Sequence, residues 1–377
     1  MRRFLGTIFV LLFLVSLQWG ALWLGDAEFR DKADWVILEI RNATTAPDAR
    51  KFRKARPPHH RVERSWRAID DHAIATPDSL THDYATLAKH LVAPAKDDWD
   101  RARAIYRWIA ENVSYDDVAY NNKEYGSGDA ERTLRTHKGV CGDFSELFKE
   151  LARAAGMEAV KVTGWSKTKD LPPGTRLDQP DHAWNAIKIE GRWQLVDVTW
   201  GQGHGDENSG KLVTVKEFSE HWFATPPSEF VMQHLPEDPD WQFLADPVSL
   251  DEFEQFPLVR SDLFEMGFSG NTLLRWIRAN PGESVPIMYA NPFTVKAVNV
   301  PLSRRIHLPP GEEMELAFDC PDCKGMAIAI NNDLKDMQEG CDRYSLCFVP
   351  KPGELKVFAR KRRNDLRYIG IMEYEVR

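Results

Sequence analysis

The chain has 377 residues, room for two domains and appendages. Apolar residues make up 43%, charged residues 28% and aromatic residues 11%, which excludes a wholly disordered, collagen-like or multi-span membrane chain. With 49 Lys and Arg against 57 Asp and Glu the net charge is −8, so binding to nucleic acid through bulk positive charge is excluded and no nucleic-acid partner is expected.

Residues 4–25 carry no charge, with Arg2 and Arg3 before them and Asp26 and Glu28 after. About 20 apolar residues span a bilayer as a helix, whereas the apolar part of a secretory leader is about 7–15 residues long. Length argues for an uncleaved anchor, while Gly25-Asp26-Ala27 offers small residues to a signal peptidase. Residues 1–27 are therefore expected to be a signal peptide or membrane anchor, an N-terminal apolar targeting helix. The body is then extracytoplasmic, either membrane-anchored or secreted or periplasmic. Residues 28–67, rich in Arg and Lys around Pro57-Pro58 and His59-His60, are expected to be a basic linker.

Trp99, Ala102, Ile105, Trp108, Ile109 and Val113 recur at three and four residue steps behind acidic Asp97, Asp98 and Asp100, predicting an amphipathic helix. A Gly-containing loop around 125–129 leads to a second helix. Its apolar side carries Cys141, Phe144, Leu147, Phe148, Leu151 and Ala155, it stops at Gly156, and Cys141 stands at its N-terminal end. Apolar runs follow at 159–163, 183–189 and 193–198, the last two joined by a hairpin turn at Glu190-Gly191-Arg192. Helices followed by an antiparallel sheet predict an α+β domain over 68–245.

Residues 246–280 are expected to connect this domain to another. Beyond them, short apolar or alternating runs at 285–289, 296–300, 313–318, 325–330, 345–349, 354–359 and 368–376 are separated by Pro, Gly, Asn and Asp. That spacing predicts an Ig-like β-sandwich over 281–377. Cys320, Cys323, Cys341 and Cys347 all fall within it, leaving Cys141 alone. Two disulfides of undetermined connectivity are expected there, with zinc as the alternative. The five residues between Cys341 and Cys347 suit a structural zinc site poorly.

A lone Cys on an apolar helix face is by default a small buried hydrophobe. As a nucleophile it must lose its proton near neutral pH, which a helix N-terminus and a neighbouring imidazolium both promote. It also needs a base that returns the proton and a group that orients that base. His182 opens one strand of the expected hairpin and Asp197 closes the other, so the ladder can set them opposite one another, with Cys141 packed against the same face. His137 and His204 sit in polar or Gly-rich surroundings and read as surface residues. Gly201-Gln-Gly-His-Gly205 lacks the Lys-Ser/Thr ending of a phosphate loop.

Gly139-Val140-Cys141-Gly142-Asp143-Phe144-Ser145, Gly156-Met157, His182-Ala183-Trp184-Asn185 and Val196-Asp197-Val198-Thr199-Trp200 resemble the transglutaminase-like superfamily in order and spacing. His221-Trp222-Phe223, Pro226, Glu229-Phe230, Pro236-Glu237-Asp238 and Trp241-Gln242 resemble its kyphoscoliosis-peptidase branch. The resemblance implies a papain-like core with Cys141 as nucleophile, His182 as general base and acid, and Asp197 as the orienting residue. It implies acyl transfer or hydrolysis at peptide or carboxamide carbonyls of a protein or peptide substrate, through a thioester. The Cys141 backbone N–H is the expected oxyanion donor, with Tyr115 as a side-chain candidate and Trp184 and Trp200 as candidate substrate contacts. The calcium dependence of animal transglutaminases is not carried over, for want of a matching acidic loop, and no metal or other cofactor is expected. Because the branch includes non-catalytic members, a scaffold or interaction protein is the alternative.

Overall fold

Aspartate decides where the first helices begin. Helices α1 (Arg67–Ile74), α2 (Tyr84–Leu91) and α3 (Asp98–Asn112) open the folded body. In α2 the Asp83 side chain accepts from the Thr86 N–H at 2.8 Å, and in α3 Asp97 accepts from Asp100 N–H at 3.0 Å, each satisfying a backbone donor that a helix start leaves free. The structure, a computed structural model, describes residues 64–124, 128–168, 171–208, 210–309, 311–340, 343–363, 365 and 367–377. The apolar run 4–25, nearly all of the expected linker, and Cys341 lie outside the described residues. No helix among the described residues is long and apolar enough to cross a membrane.

The stripe on α3 is buried as its periodicity requires, with Ala102, Ile105, Trp108 and Ile109 inaccessible to solvent. Arg103 was not foreseen there. It is buried too, forking onto both carboxylate oxygens of Asp70 at 2.7 Å, and lies over the rings of Trp66, Tyr106, Phe218 and Phe223. The last positions assigned to the linker belong to this body: Arg64 pairs with Asp97 and Asp100 at 2.9 Å, and Trp66 packs edge-on to Phe223.

After α3 come β1 (Ser114–Tyr115), α4 (Asp117–Asn122), α5 (Ala130–Thr136), β2 (Lys138–Gly139) and α6 (Cys141–Ala154). The central sheet uses β3 (Ala159–Ser166), β4 (His182–Ile189) and β5 (Arg192–Val196), then α7 (Val198–Gln202), the hairpin β6 (Gly203–Asn208) and β7 (Lys211–Lys216), β8 (Phe223–Thr225), α8 (Pro227–Phe230) and β9 (His234–Pro236). Its order is β8-β5-β4-β3-β9, antiparallel throughout. Glu190 and Gly191 both have positive φ, the turn that joins β4 to β5 without splaying them. Asn185 on β4 pins α6 to this sheet, its Nδ2 donating to the carbonyls of Ser145 at 2.9 Å and Val160 at 3.1 Å.

The segment expected to connect two domains is itself folded, into α9 (Leu250–Glu254), α10 (Ser261–Glu265) and α11 (Gly270–Ala279). Phe253, Phe256, Leu263, Leu273 and Ile277 share one buried cluster with the strands beyond. Buried Lys167 ties it back to the end of β3, donating to the carbonyls of Glu254 at 3.1 Å and Phe256 at 2.9 Å. All seven expected runs beyond residue 281 contain strands. These are β10 (Ile287–Met288), β11 (Lys296–Asn299), β13 (Met314–Asp319), β14 (Met326–Ile330), β17 (Arg343–Phe348), β18 (Gly353–Ala359) and β19 (Ile369–Val376), with β12 (Arg305–Ile306), β15 (Asp333–Asp336) and β16 (Gln338–Glu339) in addition. One sheet runs β10-β19-β18-β14-β15, with β12 alongside β19; the other runs β11-β13-β17-β16. Leu316 and Phe318 of one and Ile328, Leu355, Val357 and Ile371 of the other meet in a common core.

Among the described residues one disulfide is present where two were expected. Cys320 and Cys323 bond to each other across the turn after β13, and Cys347 is a free, exposed thiol. Side-chain direction separates Cys347 from that pair. Cys347 stands opposite Glu315 on the solvent face of β17, whereas Cys320 and Cys323 are buried.

Candidate active site

Cys141 is the first residue of α6, a helix of 14 residues. Asp143, two residues on, folds back to accept from the Val140 N–H at 3.0 Å and the Gly128 N–H at 3.1 Å, fixing the chain that delivers Cys141. Gly139 is required by this turn, because a Cβ there would stand 2.6 Å from the Asp143 Cβ. Cys141 remains partly accessible, at the positive end of the helix dipole, where an anion is favoured.

His182 opens β4, paired across the ladder with Gly164 of β3. Its Nε2 lies 2.7 Å from Asp197 Oδ2, and Cys141 is near enough for its charge to act on the ring. Burial by itself favours the neutral ring, but the Asp197 carboxylate and then Cys141 outweigh it and raise the His182 pKa to about 10. Burial likewise opposes ionisation of Asp197, yet its histidine partners hold it well below the usual carboxylate range.

The route by which Asp197 reaches His182 differs from the expected one. The ladder pairs Asn185 with Val196, which leaves Asp197 beyond the end of β5 and two positions out of step with His182. Asp197 is instead the N-cap of α7. Oδ1 accepts from the Thr199 N–H at 2.9 Å and the Trp200 N–H at 3.1 Å, so Oδ2 is left for the imidazole. Its own N–H donates to the Trp222 carbonyl at 3.0 Å, which is how the 221–223 motif joins the site.

Tyr115 comes to the same corner through β1, which pairs in parallel with β2 and sets Tyr115 against Gly139. Burial, with the charge of nearby Cys141 next, raises its phenol pKa far above the ordinary value. Trp200 is partly exposed, its ring 5.2 Å from that of His182. Trp184 is buried and belongs to the core beneath the site. His137 ends α5 in a left-handed conformation, and exposed His204 pairs with Glu217 at 3.3 Å.

Sequence reasoning missed His234. Fully buried at the start of β9, it places Nε2 2.9 Å from the same Asp197 Oδ2 that His182 uses. A histidine inside the apolar stretch 230–235 was the available signal, since a buried polar group requires a partner. Burial, reinforced by the charge of His182, lowers its pKa to about 4 against the pull of Asp197. The ligand atoms of His182, Asp197 and His234 lie within 4.8 Å of one another, as do those of Cys320, Asp322 and Cys323. In the first group they are engaged in hydrogen bonds with each other, and in the second the two sulfurs are bonded together.

Residues 85–198 match the family model of the transglutaminase-like superfamily. Mouse kyphoscoliosis peptidase is 36% identical over 182 residues, 48% of this chain and 27% of that protein. Hillarin of Drosophila melanogaster is 30% identical over 213 residues, covering 53% and 25%. The chain thus spans about a quarter of the length of these relatives. A solved TGase is 23% identical, with a TM-score of 0.26, over 40% of this chain and 37% of that one.

Proposed function

We infer from a transglutaminase-like domain with kyphoscoliosis-peptidase relatives, together with the geometry around Cys141, that this chain is a thiol enzyme. It acts on peptide or carboxamide carbonyls of protein or peptide substrates. The observation that carries the reading is a buried imidazole hydrogen-bonded to a buried carboxylate, with a partly exposed cysteine at a helix N-terminus beside it. That arrangement favours a thiolate–imidazolium pair.

The Cys141 thiolate attacks the carbonyl carbon, and the C=O π pair moves onto oxygen. The Cys141 backbone N–H receives that charge, and Tyr115 supplies a second donor once its hydroxyl turns toward it. Collapse of the intermediate breaks the C–N bond as the His182 imidazolium hands its proton to the departing nitrogen. A thioester remains. Water or an amine then gives a proton to His182 as it attacks, the S–C bond breaks, and the thiolate returns. Asp197 keeps its charge throughout and holds the ring with Nε2 toward itself. Trp200 beside His182 is the candidate wall for the substrate.

The test compares iodoacetamide labelling of Cys141 with that of the exposed Cys347 at neutral pH. It also compares proteins cleaved or newly isopeptide-linked in cells carrying wild-type or Cys141→Ala chain. Faster labelling of Cys141, with products lost in the variant, is expected. Equal labelling with an unchanged product set leaves the scaffold reading in its place. The charge-free run 4–25 supports an extracytoplasmic or membrane-tethered setting, which fractionation and N-terminal sequencing of the mature chain test.

A further inference from the structure

Within the reading of Cys141, His182 and Asp197 as a catalytic set, we propose that His234 is a positioning residue: its Nε2–H clamps the Asp197 carboxylate from a second side and thereby fixes the His182 ring. An ionised carboxylate only accepts hydrogen bonds, so both imidazoles must present N–H to Oδ2, at 2.7 Å from His182 and 2.9 Å from His234. The α7 cap anchors the carboxylate at Oδ1, and with His182 as the sole partner of Oδ2 the group can still pivot about that anchored oxygen through small coupled changes in the Asp197 side-chain torsions. His234 removes that freedom.

The choice of histidine has a physical reason. An Arg or Lys in this place would neutralise Asp197 and take away the counter-charge that the His182 imidazolium needs. A neutral imidazole donates a hydrogen bond and leaves the charge intact, and complete burial keeps His234 neutral. Its orientation is set by Phe230, Trp200, Trp222 and Trp184, whose ring centroids lie 4.2, 4.4, 4.9 and 5.1 Å away. A core histidine serving structure alone has no requirement for this carboxylate; here the aromatic box aims the ring at it.

The experiment uses the full chain and three variants: His234→Phe fills the box without a donor, His234→Gln carries an amide N–H out to the Nε2 position, and His234→Asn is too short to reach Oδ2. The rate of Cys141 alkylation by iodoacetamide is followed from pH 4 to 9 by peptide mapping, with Cys347 as the internal exposed thiol and melting curves for each protein. In wild type, Cys141 should react at pH 5–6, where Cys347 does not. In the Phe and Asn variants that acid reactivity should fall about 10–100-fold, the scale seen when the partners behind metal-bound histidines are removed, while the Gln variant stays within a few-fold of wild type. If the Phe variant does not fold, the Gln and Asn variants decide between themselves. Wild-type acid reactivity that persists in folded Phe or Asn protein, or variants that differ in melting temperature alone, overturns the proposal and leaves the active-site reading standing. Absence of acid reactivity in wild type removes both.

Discussion

The body that carries Cys141 and the sandwich treat polar groups in opposite ways. Within the body Arg103, Asp143, His182, Asn185, Asp197 and His234 are buried, each with named partners; among the described residues of the sandwich Glu373 is the one charged side chain classed as buried. Ion pairs of the sandwich such as Arg343–Asp319 and Arg363–Glu339 stand in solvent. Burying charge is costly unless partners replace the lost water. The body repeatedly bears this cost, with His182, Asp197 and His234 in one hydrogen-bonded group, and the sandwich avoids it.

The sharpest way to break that contrast is Asp197→Asn. The carboxamide can still cap α7 through its oxygen, so the fold should persist. The imidazole, however, loses its counter-ion and is offered the wrong tautomer. Turnover should fall about 10⁴-fold, equivalent to about 5.5 kcal/mol in the transition state. Steady-state kinetics beside circular dichroism check this, and unaltered turnover in folded protein removes Asp197 from its assigned role.

Next in size is Arg103→Ala. It strips the partner from Asp70 and empties a space walled by Trp66, Tyr106, Phe218 and Phe223. A loss of about 3–5 kcal/mol is expected from breaking a buried pair, read from denaturant unfolding. A loss no larger than that of a surface ion pair would show that the body's buried charges are not what distinguishes it.

A third prediction uses acid and base. Both histidines start near pKa 6.5 in the unfolded chain. His182 is raised to about 10 on folding, so its contribution is fully present below pH 6.5 and is lost as pH rises toward 10. His234 is lowered to about 4, so between pH 6.5 and 4 the unfolded chain takes up a proton that the folded chain refuses, and stability falls with acid. Each limb has a limiting slope of about 1.4 kcal/mol per pH unit. Two rings on one oxygen therefore give a stability maximum near pH 6.5. Urea unfolding across pH 4 to 10 should show it, with His182→Asn flattening the alkaline limb and His234→Gln the acid one. An acid limb unchanged in His234→Gln contradicts the assignment.

The local sequence reveals what is periodic and local. The α3 stripe, the α6 start at Cys141 and the Glu190-Gly191 turn each follow from side chains within a few residues of one another, and all three are present. The approach of Asp197 to His182 was misjudged, because alternation along two strands does not disclose their register, and here Asp197 acts from a helix cap. The hairpin at 203–216 has little apolar alternation to reveal it. His234 lies 37 residues from its partner, and nothing in its immediate neighbours points to Asp197. The disulfide pairing depended on which way strand side chains face, a property of the folded sheet.

The smallest effect belongs to the sandwich. Arg343 forks onto Asp319 with bonds of 2.8 and 3.2 Å, good geometry by any standard, yet both groups are open to water. Solvent and salt screen such a pair, and ordering two long side chains offsets what attraction survives. Arg343→Ala should therefore leave the melting temperature within experimental scatter and the alkylation profile of Cys141 untouched. A clear drop in melting temperature, vanishing at high salt, would mean that this surface pair supports the sandwich electrostatically, and the division between a polar-cored body and an apolar-cored partner would no longer separate where charge matters from where it does not.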